Sequence, residues 1–123
     1  MKNLLLILRI IVAVILLQTL FYKFSAHPDS VYIFEQTGLG APGRIGIGVL
    51  ELIASILLLL PKTIWQGALL STLLMFGALF FHLTSLGVEV HDDGGQLFYM
   101  ALVTWVLSLA ILWRERKNIP FIN

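Results

Sequence analysis

Five side chains in this 123-residue sequence are of types that handle protons, anions or polar head groups from within apolar surroundings: Lys23, Gln18, Glu51, His82 and Tyr99. Glu51 stands in GVLELIASILLLLPK (48–62), a run with no other charge before Lys62. A carboxylate there can hold a cation or exchange a proton, and a histidine is the natural proton partner near neutral pH. Lys23 can attract an anionic group, and Gln18 and Tyr99 can fix orientation through hydrogen bonds. Ionisable groups inside membrane segments mark functional sites by default. The same residues also support a plainer reading, in which a buried carboxylate paired with Lys23 or His82 fixes helix register.

Such chemistry needs a scaffold. Of the residues, 59% are hydrophobic and 12% are charged, and the mean hydropathy is +0.94. Soluble domains have about 45–50% apolar and about 25% charged residues, so the composition predicts a membrane protein. Four apolar segments follow: 4–22, 44–60, 64–86 and 96–113. Each approaches the roughly 20 residues that a helix needs to cross a bilayer. They are continuously apolar and lack the two-residue alternation of a β-barrel. The first segment exceeds the usual signal-peptide core of about 7–15 residues, so a retained span is expected. The predicted fold is all-α: a single four-helix membrane domain over 1–123.

Lys2, Lys62, Arg114, Arg116 and Lys117 gather at one end, against Lys23 and Arg44 at the other. The positive-inside rule then places both termini in the cytoplasm. In the first outward loop, Pro28-Asp29-Ser30 opens a short amphipathic helix through Gln36, stopped at Gly38, with Val31, Ile33, Phe34 and Leu39 on its apolar side. The second loop, GVEVHDDGG (87–95), is acidic and rich in glycine.

Depth brings the polar residues together. Glu51 lies seven residues beyond Arg44, about 10 Å into its span, and shares a side with Gly48 and Ser55. His82 lies near the outer end of the third span on a stripe with Met75, Ala78 and Ser85. Lys23 and Gln18 end the first span, and Gln96 and Tyr99 begin the fourth. An outer-half polar site is the result, with Glu51 meeting Lys23, His82 or both. Arg9, near the inner end, is expected to snorkel to the headgroups.

Several classes are set aside. There is no cysteine, which removes thiol chemistry. Basic stripes with interleaved aromatics are absent, so no nucleic acid is expected. GAPGRIGIG matches neither a P-loop nor a dinucleotide fingerprint. His82, Glu89, His91 and Asp92 match no metal-ligand spacing, and no metal is expected.

LRIIVAVILLQTLFYKF (8–24), GLGAPGRIGIGVLELIASILLLLPKT (38–63) and GALLSTLLMFGALFFHL (67–83) together resemble the DoxX family of small bacterial membrane proteins. Arg9 and Lys23 resemble its basic residues at the two ends of helix one. Glu51 resembles its acidic residue in helix two, and His82 its polar residue late in helix three. The family's glycine before the helix-one lysine is replaced here by Phe21-Tyr22. The resemblance implies a four-helix accessory protein of the inner membrane, in a redox or quinone-linked complex, with quinone as the cofactor to consider. A quinone- or small-molecule-binding oxidoreductase component and a small-solute transporter are the alternatives. Lipids, a redox-complex partner or further copies of the chain are the expected associates.

Overall fold

The computed structural model describes residues 2–25, 27–87 and 95–120. Its elements are α1 (Lys2–Phe24), α2 (Pro28–Gln36), α3 (Gly40–Leu59), α4 (Ile64–Phe81), a π-helical turn (His82–Leu86), α5 (Gln96–Arg114) and a 3₁₀ turn (Arg116–Asn118). No strand occurs among the described residues. Four stretches are long and apolar enough to cross a membrane: Asn3–Phe24, Gly40–Leu59, Ile64–Thr84 and Gln96–Arg114.

The second span begins at Gly40, four residues before the expected Arg44. Pro42 is tolerated there because the first-turn N–H groups of a helix have no intrahelical acceptor. α2 forms over the expected residues, opened by Pro28 and followed by Gly38.

The four long helices form a ring. α1 packs on α3, α3 on α4, α4 on α5, and α5 closes back on α1. Leu16, Val12, Leu58, Ala68 and Ile111 are fully buried at its centre, while Val14, Leu73, Phe76 and Val106 face outward. With apolar groups on both sides, such a bundle gains little from the hydrophobic effect and depends on close packing and polar contacts. Gly67 provides the close approach. A Cβ there would lie 2.7 Å from the backbone nitrogen of Leu58 and 3.0 Å from the carbonyl oxygen of Ala54, so only glycine lets α4 rest on the α3 backbone. A polar contact holds α4 to α5, where Ser71 Oγ and Ser108 Oγ are 2.7 Å apart. Ser108 donates its proton to Thr104 O at 2.7 Å, which leaves Ser71 as the donor across the interface.

The end of α3 accounts for Arg9. A helix leaves its last four carbonyls without intrahelical partners. Here Ile56 O accepts from the Leu60 N–H at 3.1 Å, and Leu57 O from Thr63 Oγ1 at 2.8 Å. Pro61 has no N–H to continue the ladder. Arg9 fills the gap, with Nε donating to Leu58 O at 2.7 Å and Nη2 to Leu59 O at 3.0 Å. Arg9 is buried. The expected snorkelling is therefore corrected: two unsatisfied carbonyls on the neighbouring helix recruit the guanidinium more strongly than the headgroups do.

Candidate functional site

Glu51 is 1% exposed, and its carboxylate lies at the α1–α3 interface. Lys23 Nζ approaches Oε1 at 2.9 Å. Thr19 Oγ1 lies 2.8 Å from Oε2 and 2.9 Å from Leu16 O, so one hydroxyl proton serves two acceptors. Thr19 and Lys23 are four residues apart and thus on one face of α1, in line with buried Leu16 and Val12. Lys23 is further placed by Arg44, whose Nη1 donates to the Lys23 carbonyl at the C-terminus of α1. A cation there also faces the negative end of the helix dipole.

His82 is buried at the start of the π-helical turn. Its Nδ1 lies 2.9 Å from Gly87 O. A carbonyl only accepts, so Nδ1 carries the proton and Nε2 of the neutral ring is left as an acceptor. Phe98 holds the ring edge-on, with centroids 5.6 Å apart. Gly87 has φ 81 and ψ 169, a backbone region essentially restricted to glycine. This one residue turns the carbonyl back onto the imidazole. Short π-helical segments recur at functional sites, and here the widened turn fixes a histidine tautomer.

Both groups line a single cavity of about 230 Å³. Its wall takes Leu16 and Thr19 from α1, Ile47 from α3, Met75 and Ala78 from α4, and Met100 and Thr104 from α5. α2 covers the mouth with Ser30, Ile33 and Phe34, and Thr37, just beyond the helix, adds to the wall. At about 30 Å³ per water, the space equals roughly seven or eight waters, room for one organic ring. The wall is mostly apolar, with Lys23, Glu51 and His82 as its ionisable groups.

Gln18 and Tyr99 are not in that wall. Gln18 is exposed because one residue's rotation from Thr19, about 100°, carries it to the outer face of α1. Tyr99 is 55% exposed, since it lies two residues, about 200°, from Ala101 on the buried stripe of α5. The structure adds Thr19 as the second partner of Glu51, and Ser30 of α2 and Thr37 just beyond it as polar groups of the cavity wall. The i, i+4 relation of Thr19 to Lys23 was the signal in the sequence for the first of these. Among the described residues no group of three His, Asp or Glu side chains could hold a metal. Glu89, His91 and Asp92, weighed above as ligands, lie outside the described residues.

The model of the DoxX family matches residues 4–84, two-thirds of the sequence. The chain belongs to the DoxX family. The match runs from α1 into the π-helical turn and so includes Lys23, Glu51 and His82, while α5 lies beyond it. No curated protein and no solved structure matches the chain. Membership in this family, with four helices able to cross a membrane, makes it a multi-pass membrane protein.

Proposed function

We propose that this DoxX protein is an accessory component of a redox or quinone-linked complex in the bacterial inner membrane, and that it holds a quinone-type molecule between its helices. The observation that carries this reading is the covered apolar cavity with a lysine, a carboxylate and a tautomer-fixed histidine in its wall. A single-ring head group fits the volume. Lys23 has N–H donors beyond the one aimed at Glu51, and these suit a carbonyl oxygen. His82 Nε2 suits a hydroxyl. Leu39 and Leu73 belong to the wall and are also exposed on the bundle exterior, which gives an apolar tail a way out to lipid. A quinone supplies two-electron, two-proton redox chemistry when bound. The residues of this chain orient it, exclude water and offer a proton acceptor at Nε2.

The basic residues Lys62, Arg114, Arg116 and Lys117 support a cytoplasmic position for the end that carries the termini. The cavity then opens toward the outer leaflet. Transport finds less support. Fully buried Val12, Leu58, Ala68 and Ile111 fill the bundle centre, with Arg9 bound at the α3 terminus.

Titration of the detergent-purified protein with a short-tailed benzoquinone, followed by equilibrium dialysis, tests the reading. Saturable binding is expected, weakened roughly two- to tenfold by His82→Ala, the range that one neutral hydrogen bond represents. Tyr99→Phe, on the outer face, is expected to bind as wild type. Non-saturable partitioning, identical in all three proteins, would refute a quinone site.

A further inference from the structure

A second concavity, of about 440 Å³, lies at the opposite end of the bundle and is lined by Trp113, Arg114, Arg116 and Lys117. It forms because α5 ends at Arg114 and the chain turns at once into the 3₁₀ turn Arg116–Asn118. Asn118 N–H donates to Glu115 O at 2.8 Å, and Ile119 is buried, so the turn is tied to the bundle. The Arg116 guanidinium is held in place. Its Cζ lies 4.1 Å from the Trp113 ring centroid, and Nη1 donates to Trp113 O at 2.8 Å. Stacking on indole and a bond to a carbonyl reduce the entropy lost when a planar guanidinium grips an anion.

Three cations thus converge around one indole. The negative end of α5 opposes an anion, but Ile111 O and Leu112 O share the Glu115 N–H, at 3.0 and 3.2 Å, and Trp113 O accepts from Arg116 Nη1. Depth identifies the ligand. The concavity directly follows the apolar span Gln96–Arg114, and Trp113 is 66% exposed at the level where interfacial aromatics meet headgroups. Phosphate oxygens of the adjacent leaflet lie at that level.

We propose that Trp113, Arg114, Arg116 and Lys117 form a binding site for the phosphate headgroup of an anionic phospholipid. Trp113 acts as a positioning residue for Arg116, and the cations contact the phosphate. The site is independent of the cavity near Glu51.

Native mass spectrometry of the full chain released from nanodiscs of equal parts phosphatidylglycerol and phosphatidylcholine tests this. Wild type is expected to retain phosphatidylglycerol in preference to phosphatidylcholine. Arg116→Gln with Lys117→Gln should reduce that retention about tenfold or more, since each cation near anionic lipid contributes roughly a fivefold effect. Trp113→Leu should reduce it less, and Lys62→Gln, an exposed cation on another turn, should leave it unchanged. Circular dichroism on each variant checks that the bundle is retained. Equal retention of the two lipids by wild type, or a loss with Lys62→Gln as large as with the double variant, would overturn the proposal. Displacement of the lipid by millimolar inorganic phosphate would also overturn it, by showing a free-phosphate site instead.

Discussion

Replacing Lys23 with methionine is expected to destabilise the bundle by about 3–5 kcal/mol, the usual cost of stranding one member of a buried ion pair. Glu51 is almost wholly buried; among the described residues Lys23 is the cation that Oε1 meets, and Thr19 shares its one proton between Oε2 and Leu16 O. The double variant Lys23→Met with Glu51→Met is expected to recover most of the loss, because an apolar pair of similar size removes both desolvation penalties. Reversible unfolding in mixed micelles, run as a double-mutant cycle, measures the coupling. A single Lys23→Met variant within about 1 kcal/mol of wild type would show that the pair contributes little and that its retention serves a ligand alone.

Arg9→Met is expected to cost about 3 kcal/mol, for a different reason. It leaves Leu58 O buried, and Leu59 O part-buried, without donors, and a buried group so left costs about 1–3 kcal/mol. Thr63 and the Leu60 N–H are already committed to Leu57 and Ile56, and Pro61 supplies nothing. Arg9→Lys should recover about half, because an ammonium on a flexible stem lacks the fork that reaches two carbonyls together. The same unfolding measurement decides it. Full recovery by lysine would mean that positive charge near the headgroups, and not carbonyl capping, is what Arg9 supplies.

Arg9 also shows where sequence reading stops. From sequence, its charge can be weighed only against headgroups, because the carbonyls that hold it belong to residues 49 and 50 positions away. Their need arises from Pro61, which is legible, but the pairing of α1 with α3 is not. The four spans and α2 were legible because continuous apolar runs, Pro28 and Gly38 impose local constraints. Helical phase explains the site residues. Thr19 and Gln18 are neighbours in sequence, yet only Thr19 shares the face of Lys23 and Leu16 that meets α3. Tyr99 has the right depth and the wrong rotation. His82 could be placed near the mouth, whereas its tautomer depends on a π-helical turn and a positive-φ Gly87 that no local pattern announces.

The central claim is that the covered cavity is a place for a ligand and not merely a gap beside a structural ion pair. Native mass spectrometry of the protein gently extracted from its own membrane, with the released small molecules identified, tests it most directly. Wild type is expected to carry one hydrophobic ring compound at close to one per chain, and Ala78→Phe, which fills the cavity wall, to be folded and empty. Phospholipid alone on wild type, or the same ring compound at the same ratio on Ala78→Phe, would contradict the claim and leave Lys23 and Glu51 as a structural pair.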